Sequence, residues 1–569
     1  MSSLRRKSDL VQPDGRRGLF VCSILLAIVG GAAPSSGEDA SPIRLTDVTR
    51  QTGISFVHTD GSSGRRYMVE TVTGGLVLFD YDNDGDVDIY LLNGAPLKGT
   101  PTPDRPPRDA LYRNDGGWRF TDVTATSGLC DTGHGLAAVA GDYDADGDLD
   151  VYVANFGPNK LYRNNGEGTF TDVTSQAGVG DGPRVGAGVN WLDIDADGDL
   201  DLFVGRYVDF TYERHVPNVI NGHPTYAGPR PYPRMPNALY RNNGDGTFTD
   251  VSVESGIAAS LGAGMGTVCG DFDNDGDADI CVANDMYENF LFVNDGRGRF
   301  SENALAAGLA CDVNGDIMGN MGVACGDYNN DGLLDLYITN YQEQMAVLYK
   351  NLGDGLFEDV SLLTGAGAGS VHNVKWGCGF ADFDNDGWRD IYVAVGHLQD
   401  NVGLWDDRSE YFAANVLLVN TGDGKFVNVS DSAGDGMKVK LSSRGAGFDD
   451  LDNDGDIDVV VSNIRREPTI LRNDSPDQGR WLQVDLRGKK NRFGIGARVS
   501  VVAGDLTLID EVHSGQGYQS DYGHRLYFGL GKRDRIDRVE VRWPGGAKET
   551  FDVAGVNRRV TLTEGTGRR

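Results

Sequence analysis

The sequence predicts an all-β protein: a seven-bladed β-propeller closed by its N-terminal strand and followed by a small C-terminal β-sandwich. Three observations carry this prediction. A nine-residue aspartate string occurs seven times, a hairpin motif follows six of the copies, and the two ends of the array are out of phase. Composition agrees: 80 of 569 residues are glycine without a Gly-X-Y period, which excludes collagen and favours a turn-rich globular chain. A formal charge of −32 repels phosphate, so neither nucleic acid nor an anionic membrane is an expected partner, and cations are.

The first string, DYDNDGDVD, places Asp80, Asp82, Asp84, Asp86 and Asp88 at its odd positions. DYDADGDLD supplies Asp142, Asp144, Asp146, Asp148 and Asp150, and DIDADGDLD supplies Asp193, Asp195, Asp197, Asp199 and Asp201. The fourth, DFDNDGDAD, contributes Asp271, Asp273, Asp275, Asp277 and Asp279; the fifth, DYNNDGLLD, contributes Asp327, Asn329, Asp331, Leu333 and Asp335. DFDNDGWRD gives Asp382, Asp384, Asp386, Trp388 and Asp390, and DLDNDGDID gives Asp450, Asp452, Asp454, Asp456 and Asp458. Successive copies begin 51 to 78 residues apart, too long for helical repeats and compatible with four-stranded blades.

Oxygen-bearing side chains at positions 1, 3, 5 and 9 suit a hard cation of calcium's size, which takes six to eight oxygen ligands. Position 7 ranges over Asp, Leu333 and Trp388, so there the backbone carbonyl is the expected ligand. Glycine at position 6 in every copy permits the left-handed backbone that wraps an ion. An EF-hand begins similarly but needs glutamate at position 12 and flanking helices. Here position 12 of the first copy is Leu91, and the flanks GLVLF and DIYLL read as strands. Seven repeats outweigh the alternative of plain acidic turns. Up to seven Ca²⁺ ions are therefore expected.

Each of the first six loops is followed by a motif such as LYRNDGGWRFTDVT from 111 or LYRNNGDGTFTDVS from 239, in which alternating apolar residues flank Asn-Gly or Asp-Gly turns. These are hairpins, so a unit has four strands. Residues 45–49, LTDVT, match a fourth strand standing alone, while the seventh unit stops after TILRND at 469–474. Pairing the two closes the ring and protects its edges. The propeller is assigned to 43–475 and the sandwich, from strands such as WLQVDLRG and ARVSVVAG, to 480–565.

The string ETVTGGLVLFDYDNDGDVDIYLLNG, the LYRNNGDGTFTDV hairpins and the C-terminal NRFGIGARV, HRLYFGLG and VRWPGG resemble bacterial relatives of cartilage acidic protein. In that family the propeller repeats are of FG-GAP (VCBS) type, as in integrin α-chains, and the last part is an ASPIC/UnbV domain. The resemblance implies calcium at Asp80, Asp82, Asp84, the Asp86 carbonyl and Asp88, and at the matching positions of the other loops. It implies no particular activity.

Residues 1–33 read as a signal peptide: Arg5, Arg6, Lys7, Arg16 and Arg17 precede an uncharged run at 18–33, short of the roughly 20 residues that span a bilayer. A linker at 34–42 follows, and the mature chain is expected outside the cytoplasm (periplasmic, cell-surface or extracellular), without membrane insertion. Export permits disulfides, although buried thiols fit Cys269 and Cys325 equally well. Residues 480–569 carry an excess of 6 positive charges, which predicts docking on the acidic propeller, with Arg492, Arg525 and Arg542 as candidates for a dedicated polyanion site instead. Long inserts at 205–236 and 396–415 should lie on one rim, and their histidines, His215, His223 and His397, do not form a catalytic set by sequence. The expected function is non-enzymatic: adhesion or recognition of an extracellular protein or glycan. The alternative is an extracellular lyase or hydrolase acting on polysaccharide from the propeller rim.

Overall fold

The computed structural model describes residues 41–101, 104–476 and 478–568; the predicted signal peptide and residues 34–40 of the linker lie outside the described residues. From Ser41 onward the chain is one compact unit. It is all-β, and its strands form seven four-stranded antiparallel units followed by two C-terminal sheets.

In the first unit Leu76–Phe79, Asp88–Leu91, Ala110–Asn114 and Phe120–Asp122 pair in chain order. The first strands of the next five units are His134–Gly141, Arg184–Leu192, Gly264–Gly270, Asn320–Gly326 and Lys375–Ala381. The second and third units join into one eight-stranded sheet through Arg184 and Val185, which pair with Gly157 and Phe156. The seventh unit consists of Ser443–Asp449, Asp458–Asn463, Thr469–Asn473 and the N-terminal strand Leu45–Asp47. That strand runs antiparallel to the third, Leu45 opposite Asn473, as the phase of the repeats predicts.

The first strands are almost wholly buried, each packed against the next, and that of the seventh unit packs against that of the first. Small residues allow this approach. A Cβ on Gly322 would lie 2.4 Å from Trp376 O in the neighbouring strand.

A second contact links the units at the loop end. Every third strand carries an asparagine at or near its end: Asn114, Asn164, Asn242, Asn294, Asn351, Asn420 and Asn473. Its backbone N–H donates to the ninth aspartate of its own loop, as Asn114 does to Asp88 Oδ1 at 2.7 Å. Its side-chain Nδ2 donates to the carbonyl of the second loop residue in the preceding unit, at 2.7 to 3.0 Å around the array. Asn114 makes this bond to Leu451 and so ties the first unit to the seventh.

The C-terminal part has a three-stranded sheet, Leu526–Gly531, Arg480–Arg487 and Arg558–Thr563, and a four-stranded sheet, Leu506–Glu511, Arg498–Ala503, Arg538–Arg542 and Lys548–Phe551. Between Glu511 and Leu526 the chain runs into the space bounded by the seven first strands and touches each of them. Gly517 exchanges two backbone hydrogen bonds with Val323, at 2.7 and 2.9 Å. Asp521 accepts from Ala140 N through its side chain and from Leu78 N through its carbonyl. Asn190 Nδ2 donates to Ser514 O and Gly515 O, and Tyr522 Oη to Cys378 O. His513 Nδ1 lies 3.0 Å from Cys269 O, and Tyr522 packs edge-on to Phe448. The six described cysteines are free, four of them buried.

Asn114→Ala leaves a buried carbonyl on Leu451 without its donor, which costs about 1 to 3 kcal/mol. Urea unfolding checks this, and an unchanged midpoint would show that the inter-unit bond adds nothing.

Candidate metal loops

Each aspartate string spans the turn between the first and second strands of its unit, and two left-handed residues wind it. Position 4 has a φ of 56° to 63° and the position 6 glycine a φ of 86° to 108°. Asparagine at position 4 tolerates this well; Ala145 and Ala196 carry a Cβ into it without that advantage. In six loops the first aspartate accepts backbone N–H bonds from within its turn, as Asp80 does from Asp84 and Gly85 at 3.1 and 2.9 Å, while Asp271 of the fourth pairs with Arg542 instead. The ninth is buried in every loop and accepts from position 2 and from the hairpin asparagine, as Asp150 does from Tyr143 N and Asn164 N.

The carboxylates converge. Ligand oxygens of Asp80, Asp82 and Asp88 lie within 4.8 Å of one another, as do those of Asp142, Asp144 and Asp146, of Asp193, Asp195 and Asp197, of Asp271, Asp273 and Asp279, and of Asp382, Asp384 and Asp390. Oδ1 of Asp82, Asp193, Asp271 and Asp452 is buried and meets no donor. Burial, partly offset by the backbone bond from the loop glycine and reinforced by neighbouring aspartates, raises the first-position carboxyls: Asp80, Asp193 and Asp327 to about 6, Asp142 to about 7. Burial likewise holds Asp88, Asp150, Asp335 and Asp390 well above the carboxylate range. Acceptor-only oxygens in excess of available donors, on a tightly wound turn, fit a hard divalent cation.

Position 7 has a further part that sequence did not reveal. Asn83 donates to Asp148 of the next loop at 2.7 Å, Asn385 to Asp456 at 3.0 Å and Asn453 to Asp86 at 2.6 Å, so position 4 of one loop grips position 7 of its neighbour. The fifth loop, less acidic, pairs Asp331 with Lys350.

The basic C-terminal part faces these loops. Arg525 and Arg559 donate to Gly85 O, Lys490 to Asp197 O and Asp199, and Arg498 to Asp271 O. Arg542 pairs with Asp271 Oδ2, and a Cβ on Gly147 would meet the Arg492 guanidinium at 3.7 Å. The three arginines that sequence offered as a polyanion site are thus turned onto the aspartate loops.

The two inserts meet at the opposite ends of the first strands. Gln399 holds both the N–H and the carbonyl of Tyr226, at 2.8 and 3.0 Å, and Asn401 donates to Pro224 O. Their histidines are separate: His215 packs on Tyr67, His223 stacks on Trp405 and His397 bonds to Gln342. A third wall comes from residues before the first unit, where Glu70 accepts from Tyr226 Oη at 2.9 Å and Arg66 pairs with Asp400. Sequence reasoning missed Glu70 and Arg66, which carry no motif of their own.

An FG-GAP-like repeat model matches at 80–153, 142–204, 226–282, 271–338 and 327–393, and an ASPIC and UnbV model at 487–569. Cartilage acidic protein 1 of Mus musculus is 28% identical over 387 residues, 64% of this chain and 56% of that protein. Its Homo sapiens counterpart is 27% identical over 387 residues, 64% and 55% of the two chains. The chain spans about half the length of these curated relatives. The solved rhamnogalacturonan lyase YesW is similar at 13% identity over 76% of each chain with a TM-score of 0.36, too low to carry an argument.

Two outcomes follow from the loop chemistry. Carboxyls raised above their unfolded value bind protons preferentially in the fold, so this stabilisation is full below about pH 4 and is lost as pH rises through about 6 to 7. In chelator the melting temperature should therefore fall between pH 5 and pH 8, and calcium should reverse that trend. Ala145→Asn should raise stability by about 0.5 to 1 kcal/mol by relieving the left-handed alanine, read from the denaturant midpoint.

Proposed function

The chain belongs to the FG-GAP-like repeat family, with a C-terminal ASPIC and UnbV domain, and from that premise we propose a secreted, calcium-loaded, closed seven-bladed β-propeller that serves adhesion or recognition outside the cytoplasm. The single observation that carries the calcium reading is the set of buried carboxylate oxygens without donors inside turns wound by two left-handed residues. In the first loop Asp80, Asp82, Asp84, the Asp86 carbonyl and Asp88 hold the ion, and the corresponding residues do so in the other six. The ion supplies positive charge to aspartates that otherwise repel one another. Ring closure is supported by the pairing of Leu45–Asp47 with the seventh unit and by the Asn114 bond to Leu451.

Recognition falls to the inserts at 205–236 and 396–415, where tyrosine, arginine and tryptophan stand on a rigid scaffold. The ligand is an extracellular protein or glycan, and the module acts by binding rather than by catalysis. Secretion follows from the basic and apolar run of residues 1–33.

Metal analysis of the purified mature chain should find close to seven calcium ions. With a dissociation constant of about 10⁻⁴ M and calcium at about 1 mM, each site adds about 1.4 kcal/mol, so chelation should lower the melting temperature substantially. Zero or one ion, with identical melts in calcium and EDTA, would sink the reading.

A further inference from the structure

Where the inserts close over the ends of the first strands they enclose a cavity of about 340 Å³, within the range of small-molecule sites. Its walls are strongly apolar and polarisable. Tyr207, Tyr226, Tyr341 and Trp376 supply aromatic faces, and Met68, Met265, Met286 and Met321 supply thioethers. The far face of Trp376 is covered by the buried guanidinium of Arg444, 4.0 Å from the ring centre, and Tyr518 from the C-terminal loop meets its edge. The lid is fixed rather than draped: Gln399 clamps the Tyr226 backbone while Glu70 holds its hydroxyl.

One carboxylate stands in this lining. Asp285 is 6% exposed, at the end of the second strand Asp279–Asn284 of the fourth unit. Its Oδ2 accepts from Tyr207 Oη at 2.5 Å, and its Oδ1 accepts no hydrogen bond among the described residues. Among the described residues none forms an ion pair with it; Arg230, the only basic lining residue, is exposed and acts on it through its charge without a salt bridge. Burial pushes its carboxyl up to about 7, against the smaller opposing pull of the Tyr207 hydroxyl and of the Arg230 charge. A buried carboxylate is costly unless paired, and aromatic faces and thioethers attract positive charge.

We propose that this cavity is a binding site for a small organic amine carried on an aromatic or alicyclic frame, with the ammonium on Asp285 and the frame against Trp376, Tyr207 and the methionines. A bare metal ion does not suit a single carboxylate among carbon and sulfur. A carbohydrate, rich in hydroxyls, would leave most of its polar groups without partners there. The site lies at the opposite ends of the first strands from the aspartate loops, so the inference goes beyond the calcium reading and does not need it.

The test is calorimetric titration of the calcium-treated full chain with tryptamine and phenethylamine, and with tryptophol and 2-phenylethanol as neutral counterparts of matched shape. The amines should bind saturably, each at least about tenfold more tightly than its alcohol, a difference within reach of one desolvated charge pair. Asp285→Asn should reduce amine affinity to that of the alcohol. Calcium content and melting temperature, measured on the same samples, show that the variant is folded and separate this result from the fate of the metal sites. Should Asp285→Asn disturb folding, Met321→Lys places an ammonium in the cavity and should abolish amine binding while leaving calcium content intact. Equal binding of amine and alcohol, no amine binding at millimolar concentration, or undiminished binding by a folded variant would each overturn the proposal.

Discussion

The structure depends on a buried carboxylate that holds two elements at once. The ninth aspartate of each loop accepts from its own turn and from the backbone of the hairpin asparagine, and that asparagine's amide reaches the preceding unit. The loop, the hairpin and the neighbour are therefore positioned by one connected set of hydrogen bonds, repeated at seven places. Such a network is economical in sequence because one Asp and one Asn per repeat suffice. It is also demanding, since each carboxylate sits where burial disfavours its charge. Under the proposed calcium reading a cation beside it would resolve that conflict, and the chemistry of the loops would then be inseparable from the cohesion of the units.

Much of this was legible in the sequence because repetition multiplies a weak signal. A single Asp-rich turn is ordinary; seven with glycine at the same place define a strand, a loop and a strand. The pairing of Leu45–Asp47 with the last unit was equally readable, since the phase of the repeats leaves one strand spare at each end. The double role of Asp88 and its equivalents was hidden. As an expected ligand it is read from spacing along the chain, whereas as an acceptor for Asn114 it depends on a hairpin 26 residues away. Ala145 and Ala196 break the preference for asparagine at a left-handed position, and only backbone angles expose that.

The loop between Glu511 and Leu526 and the cavity were invisible for a different reason. HSGQGYQSDYG reads as a polar, glycine-rich connection between strands, and nothing in its composition names the seven strands it meets. Its glycines matter through approach: a Cβ on Gly517 would lie 2.8 Å from Cys378 O. Asp285 is likewise unremarkable in the string NDMYENF, and its surroundings come from stretches of chain scattered between Met68 and Gln399. Both features follow from bringing distant segments together, which periodicity does not record. The excess positive charge of the last 90 residues was the one hint that this part would turn towards the loops.

Leu45 lies opposite Asn473, so Leu45–Asp47 waits without its partner strand while the more than 400 residues between them are made. Closing so long a loop is entropically costly and contacts of this range form slowly. Until then the Thr469–Asn473 edge and the partnerless Leu45–Asp47 strand are both open to pairing with another molecule, the hazard of any unpaired sheet edge. The segment that touches all seven first strands is later still, beginning at His513. Those residues follow every first strand they touch in the chain, so their contacts can form only once all seven units have been made.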